Sequence, residues 1–323
     1  MVMSYFPKAF KEIVDNIKEM RIRGAGKIAR AALQGLKIVT DEMDFKDEDD
    51  FISKLKEASR ILINTRPTAV SLPNAVRYVL LHVLKCYKDG LKLPSLKECL
   101  YEAVKDFTNH SLQALKKIGY LGSKLIKDGD TIMTHCNSTA ALMIIIQAKK
   151  SGKNIRVFAT ETRPKYQGRI TAELLDKFNI ETILIVDSAA NYFIHEADKV
   201  FVGADTILSD GSVINKIGTS QLALIANSAN IPFYVAAETY KFSPESILGK
   251  IVEIEERDPK EVAPESWFKK LKNVTIRNPS FDITPPKYIT AIISEIGIYS
   301  PMYFPIIASQ QLNLRYQELE PWL

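Results

Sequence analysis

Cys136 stands between an apolar run, TIMTHC (131–136), and Ser138-Thr139-Ala140, which open a helical pattern. A thiol near a helix N-terminus feels the positive end of the helix dipole. That field favours thiolate, which serves as nucleophile or base. Free cysteines otherwise behave as small buried hydrophobes, the reading that fits Cys86 and Cys99 on amphipathic helical stretches. Asp205 closes a second run, KVFVGAD (199–205). An aspartate after glycine is a common turn or capping residue. At a buried strand end its pKa rises and it becomes a proton donor, a role for which Asp187 competes. A thiolate base and a carboxylic acid facing one substrate make an acid/base pair.

Around these two lie signals for anions. Arg23-Gly24-Ala25-Gly26 precedes a helical pattern over 27–36, where free N–H groups, close glycine approach and Arg23 suit a phosphate. Arg66-Pro67-Thr68-Ala69 adds a second arginine, and Arg163, Lys216 and Lys241 add cations after apolar runs. One such cation is usually a solvated surface charge; five in polar motifs point to a small ligand with more than one negative group. The chain has neither a G-x-x-x-x-G-K-[ST] loop nor a G-x-G-x-x-G after a strand, which speaks against an NTPase or a nicotinamide dehydrogenase.

The elements that must position these residues fall into two grammars. Over 1–126 the apolar spacing is helical: Phe10, Ile13, Ile17 and Met20 share a face, as do Phe51, Leu55, Ile61 and Leu62. Pro73 opens a helix over 73–88, and a long periodic stretch runs from Leu96 to Gly122. From Asp128-Gly129-Asp130 onward, short apolar runs at 131–136, 155–160, 182–188, 199–205, 212–216 and 232–238 alternate with helical patterns at 138–150, 168–178, 190–196 and 218–229. That alternation predicts a Rossmann-like α/β domain over 127–323, a parallel sheet with helices on both faces. Ligands bind beyond the carboxyl ends of such strands. There the sequence puts Cys136–Ala140, Glu161–Pro164, Asp187-Ser188, Asp205, Asn215-Lys216 and Lys241. Residues 278–297 form a closing segment, with Pro285-Pro286 at a helix start.

Composition narrows the class. The 323 residues are 46% hydrophobic and 25% charged, with 43 basic against 38 acidic side chains, a net charge of +5. The signs alternate without a basic block, which gives no case for a nucleic-acid partner. No apolar run reaches the ~20 residues of a membrane span, and the charged start lacks a signal peptide's apolar stretch. Three cysteines and four histidines form neither a disulfide framework nor a metal-ligand spacing. The expectation is a reduced, cytoplasmic enzyme without a metal.

With these segments in view, the chain resembles the superfamily of the archaeal ribose-1,5-bisphosphate isomerases, the methylthioribose-1-phosphate isomerases and the alpha, beta and delta regulatory subunits of the translation factor 2B. The resemblance spans nearly the whole chain. It is carried by RGAGKIAR (23–30), TRPTAVSLPNAVRYV (65–79), DGDTIMTHCNSTAA (128–141), TETRPKYQGRITA (160–172), VGADTI (202–207), INKIGT (214–219), AAETYKF (236–242) and NPSFDITPP (278–286). It is strongest toward the ribose-1,5-bisphosphate isomerases.

The resemblance implies Cys136 as proton acceptor and Asp205 as proton donor. It implies substrate held by Arg23, Gly24, Ala25, Gly26, Arg66, Ser138, Thr139, Ala140, Asn215, Lys216 and Lys241. It also implies AMP as an activator, a product that feeds AMP degradation, no cofactor, and hexamers built from dimers. One departure is visible: where those isomerases often carry His and Lys, this chain has Asn137 and Thr139. A regulatory subunit in translation has no need for Cys136 and Asp205. A monophosphate substrate has no need for Lys241 together with the RGAG–Arg66 group.

Overall fold

The computed structural model describes residues 5–66, 69–250 and 252–311; Pro67 and Thr68 of the arginine motif lie outside them. Two compact units divide within one helix, between Gln113 and Ala114.

The first unit is helical, with α1 (Lys8–Lys18), α2 (Ala25–Glu42), α3 (Glu48–Ile63), α4 (Ser71–Lys88) and the first part of α5 (Leu93–Ser123). Asp47 caps α3 by accepting from the Asp50 N–H at 2.8 Å, and Glu48, Asp49 and Asp50 in its first turn suit the helix dipole. The apolar stripes at 3.6-residue spacing turn inward. Phe10, Val14, Ile17, Leu33, Leu36, Phe51, Leu55, Leu62 and Val76 are all buried, each contributing about 1.5–3 kcal/mol by leaving water. The RGAG helix begins at Ala25, earlier than the sequence pattern, and runs on to Glu42.

The cysteine arithmetic is corrected here. Cys86 on α4 and Cys99 on α5 form a disulfide, with Cα atoms 6.9 Å apart. Their 13-residue separation hides the pairing in sequence. The turn between α4 and α5 folds the two helices back on each other and brings the sulfurs together. Cys99 is also core, as expected.

The second unit is built on a seven-stranded sheet and a three-stranded one. Its strands are β1 (Thr131–Thr134), β2 (Arg156–Thr160), β3 (Glu181–Ile185), β4 (Lys199–Gly203), β5 (Thr206–Ile207), β6 (Val213–Lys216), β7 (Phe233–Ala236), β8 (Phe281–Thr284), β9 (Ala291–Ser294) and β10 (Gly297–Tyr299). Its helices are α6 (Thr139–Lys150), α7 (Gln167–Asp176), α8 (Ala190–Phe193), α9 (Thr219–Ser228), α10 (Glu265–Phe268) and α11 (Phe304–Gln311). The large sheet has order β10-β9-β7-β4-β1-β2-β3, parallel except for β10. Strand alternation sends Ile132, Val157, Phe201, Ala236 and Ile293 into a core with α6 and the end of α5. Met133, Phe158, Val200, Val202, Val235 and Ile292 enter a core with α9 and α11 on the other face. Both faces are covered, which is why these strands read as continuous apolar runs.

Two expectations are overturned in this unit. SVINK does not join the parallel sheet; β6 pairs antiparallel with β5 and with β8 in the small sheet. The connection from Ile207 to Val213 is far too short for a parallel crossover, which takes a dozen residues or more. The closing segment is not a helix either. Pro286–Tyr288 make one 3₁₀ turn, and β9 and β10 follow because Ile289, Thr290, Ile292 and Ile293 are β-branched and fit a buried sheet.

Candidate active site

The strand order reverses between β1 and β4. From β1 the chain moves outward through β2 and β3, then returns to place β4 on the other side of β1. Open α/β sheets bind ligands at this switch point, beyond the carboxyl ends of the strands. Cys136 follows β1 and Asp205 follows β4, so the two residues emerge from adjacent strands at the reversal. Gly203 makes the approach possible. A Cβ at that position would lie 2.2 Å from Ser138 Oγ, so only glycine lets the Cys136–Ser138 loop cross the end of β4.

Cys136 is half-buried with φ of 68°, a left-handed conformation that costs a non-glycine residue about 1–3 kcal/mol and concentrates at functional sites. Its amide N–H donates to Thr162 Oγ1 at 2.9 Å and its carbonyl accepts from the Thr171 hydroxyl at 2.8 Å. The thiolate expectation is corrected. Burial pushes the Cys136 thiol up to about 11; the Lys216 charge and the Asn137 N–H pull it down, and Asp205 and Asp187 push it up again. The dipole of α6 starts three residues later and does not offset the loss of water around the sulfur. The resting group is therefore a thiol, with Lys216 and Asp205 close enough to bias its proton.

Ser138 caps α6, its Oγ accepting from the Ala141 N–H at 3.3 Å. Among the described residues the backbone N–H groups of Thr139 and Ala140 meet no acceptor, as first-turn donors do when a ligand is to fill them. Thr139 is exposed and Ala140 buried.

A support around the thiol went unread in the sequence. His135, buried, has Nδ1 2.6 Å from Thr160 Oγ1 and Nε2 2.8 Å from the Ile217 carbonyl. A carbonyl only accepts, so Nε2 carries a proton. Burial holds its pKa below the ordinary value, against the pull of Asp187 3.9 Å away. A Cβ on Gly218, where φ is 101°, would lie 2.9 Å from Cε1 of this imidazole. Thr162 is fully buried with φ of 61°, a genuine outlier for a β-branched residue. Asp187 holds it there by accepting from the N–H groups of Thr162 at 2.8 Å and Arg163 at 2.7 Å. Asp187 is thus a loop anchor and no rival to Asp205 as an acid. Arg163 is turned away, its guanidinium on the Val262 carbonyl at 2.9 Å and over the Tyr166 ring.

Asp205 is half-buried, its N–H donating to Ile214 O at 2.9 Å. Among the described residues its carboxyl has no hydrogen bond or ion pair, which leaves it available to a ligand. Lys216 Nζ donates to the Ser280 carbonyl at 2.9 Å and lies 4.7 Å from the Phe281 ring centre, with Asn215 buried beside it on Thr219 Oγ1 at 3.0 Å. Asp282, across β8 from Asn215, caps α9 by accepting from the N–H groups of Gly218 at 2.8 Å and Ser220 at 3.1 Å. Burial raises its pKa to about 6, although those N–H groups and Lys216 oppose the shift.

Lys241 is not an idle surface cation. It is buried 2.8 Å from Glu238, which also accepts from the Tyr240 hydroxyl at 2.9 Å. Burial works to raise the Glu238 carboxyl, but the Lys241 charge and these hydrogen bonds outweigh it and keep it below the ordinary value. A bridge from Phe242 to Ile207 runs this segment alongside β5, two residues beyond Asp205.

In the helical unit, Gly24 (φ of 89°) opens α2 with free space where a Cβ would be. Arg23 donates to the Met20 carbonyl at 3.0 Å, and buried Arg66 reaches the Met20 sulfur. The two arginines, 43 positions apart in sequence by their numbers, are thereby gathered at the turn before α2.

A doubly wound sheet with a thiol and a carboxyl beyond adjacent strands at its switch point is an arrangement suited to acid/base chemistry on a small molecule, and sequence comparison places the chain within one family. It belongs to the initiation factor 2 subunit family, whose model matches residues 21–301. It is 52% identical over 291 residues to the ribose 1,5-bisphosphate isomerase of Methanocaldococcus jannaschii, covering 90% of this chain and 91% of that protein. It is 47% identical over 316 residues to the enzyme of the same name from Thermococcus kodakarensis, covering 98% of both. Among solved structures, the Pyrococcus horikoshii translation initiation factor eIF-2B superposes with a TM-score of 0.78 at 34% identity, over 92% of this chain and 98% of that one.

Proposed function

We propose that this chain is an isomerase that converts ribose 1,5-bisphosphate to ribulose 1,5-bisphosphate. The observation that carries the reading is the placement of Cys136 and Asp205 beyond neighbouring strands at the switch point, the Asp205 carboxyl having no partner among the described residues and the Lys216 charge acting on the thiol. Isomerase relatives at 52% and 47% identity support the substrate.

A phosphate on C1 locks ribose as a ring, so reaction starts with ring opening. Asp205 gives its proton to the ring oxygen as the C1–O bond breaks and that oxygen takes the electron pair. C1 is left electron-poor, which acidifies the C2 proton, and the Cys136 thiolate removes it. The C2–H electrons form the C1–C2 double bond of a phosphorylated enol. The 2-hydroxyl then returns a proton to Asp205 while Cys136-SH protonates C1, giving the ketose and restoring both groups. A thiol pushed up to about 11 is a strong base once ionised, but at pH 7 only about one in 10⁴ carries the charge. Lys216 is the cation that keeps that fraction from falling further. Arg23 to Gly26, Arg66, Ser138 to Ala140, Asn215, Lys216 and Lys241 bind the substrate in this reading, the two terminal phosphates taking the cations and α6's free N–H groups. AMP activation, a place in AMP degradation, hexamers as trimers of dimers and a cytoplasmic setting complete the proposal, with no cofactor. Among the described residues no helix is long and apolar enough to cross a membrane.

Proton NMR of the purified chain with ribose 1,5-bisphosphate, with and without AMP, tests this directly. Ribulose 1,5-bisphosphate is expected to appear. Absence of turnover under either condition overturns the proposal.

A further inference from the structure

Away from the switch point, α4 and α5 bring three soft or borderline ligands together. His82 and Cys86 are four residues apart on α4, one turn of the same face, and Cys99 meets them from α5. One ligand atom from each lies within 4.8 Å of the others. The geometry points to a redox-gated site for one soft divalent cation of the zinc class, open when the Cys86–Cys99 disulfide is reduced and closed when it forms.

The ligand set has the chemistry such an ion selects. Two thiolates and a neutral imidazole are the donors of tetrahedral zinc sites, at about 2.3 Å for sulfur and 2.0–2.1 Å for nitrogen. Two thiolates cancel the charge of a divalent ion, so the filled site is neutral, which suits its setting: Cys99 is buried, while Cys86 and His82 are half-buried. Their partial exposure also gives an entry path and room for a water as fourth ligand. The Cα separation of 6.9 Å lies just beyond the usual disulfide span of about 4.4–6.8 Å. Parting the sulfurs around an ion asks little of helices already set that far apart. The balance is simple. A dithiol or phosphine reductant supplies two electrons, two protons enter, and two thiols result. Binding the ion then expels both protons and leaves two S–M bonds and one N–M bond.

The test uses the full chain carrying Cys136→Ser, so that the third thiol cannot contribute. The protein is reduced with a phosphine, freed of reductant without oxygen, and titrated with Co²⁺, whose thiolate charge-transfer and tetrahedral d–d bands report the ligands. One equivalent per chain is expected, displaced by Zn²⁺ with an upward shift in melting temperature. Cys86→Ser or Cys99→Ser abolishes the charge-transfer bands of the pair. His82→Ala, a half-buried position that leaves the disulfide intact, weakens binding at least tenfold. The oxidised protein, which needs no further substitution, binds none. The proposal is overturned if reduced protein, with both thiols shown accessible to a thiol reagent, gives no charge-transfer band at saturating Co²⁺. It is equally overturned if His82→Ala binds as well as the parent or the oxidised protein binds the ion.

Discussion

At the amino ends of β1 and β4, Asp130 holds Lys199 at 2.6 Å and also accepts from the Lys127 N–H, while Asp198 accepts from the Thr131 N–H at 2.8 Å. Every charge named there has a counter-charge or a donor, and the side chains of Lys199 and Asp130 are nearly buried. At the carboxyl ends of the same two strands, the Asp205 carboxyl has no protein partner among the described residues, and Cys136 sits in left-handed backbone, as does Thr162 beyond the neighbouring β2. Burial there also drives the Cys136 thiol up to about 11. One end of the sheet satisfies its polar groups and the other leaves them open. Along these two strands the polar groups named at one end are satisfied and a carboxyl at the other is left open, the pattern expected where stability and chemistry are kept apart.

Substitutions at the open end should strike activity and spare stability. Cys136→Ser and Asp205→Asn are each expected to lower turnover of ribose 1,5-bisphosphate by ~10²–10⁴-fold or more, with unfolding free energy within about 0.5 kcal/mol of the parent. NMR turnover and urea titration read the two separately, and a large stability loss in Asp205→Asn would erase the contrast. At the closed end the reverse holds. Asp130→Asn strands a buried Lys199 and should cost about 3–5 kcal/mol, while the folded fraction keeps its kcat/KM.

Asp282, which caps α9 beside Lys216, sharpens the comparison through pH. Its folded pKa of about 6 lies above the ordinary 3.8, because burial disfavours its charge more than the Gly218 and Ser220 N–H groups favour it. Between pH 4 and 6 the folded chain therefore binds the extra proton, and stability falls as pH rises through that window. The loss is at most about 3 kcal/mol, less for the solvent that still reaches the side chain. Denaturant titrations at pH 4 to 7 should show this slope in the parent and lose it in Asp282→Asn, which keeps an acceptor for the cap. The smallest effect belongs to Thr162. Thr162→Ser retains the hydroxyl that accepts from Cys136 N–H and should change stability by under about 1 kcal/mol, with activity kept. Thr162→Val leaves that N–H unsatisfied and should cost about 1–3 kcal/mol.

Much of this site was legible because chemistry and topology speak in short range. The apolar runs ending in Cys136 and Asp205 mark strand ends by themselves, and the alternation of strands and helices puts both on one rim. The missing parts depend on groups distant in sequence. Nothing local in His135 says that its ring bridges Thr160 and Ile217, or in Asp187 that it pins the Thr162 loop. The thiol's raised pKa comes from crowding that only the packed fold creates. SVINK misled because an isolated strand does not state its direction; the short Leu208–Ser212 turn beside it did carry that information. Pro285-Pro286 suggested a helix start, but the β-branched residues that follow outweighed it.

Gly203 has no chemistry of its own, yet it is the residue whose side chain would collide with the Ser138 loop. In a mutational scan read by protein abundance, Cys136 and Asp205 should tolerate replacement while Gly203 does not. Read by turnover, all three should fail. A lineage that abandons the reaction is free to lose the thiol and the carboxyl, but it must keep the glycine as long as it keeps the loop. Position 203 would then answer to the loop, and positions 136 and 205 to the reaction alone.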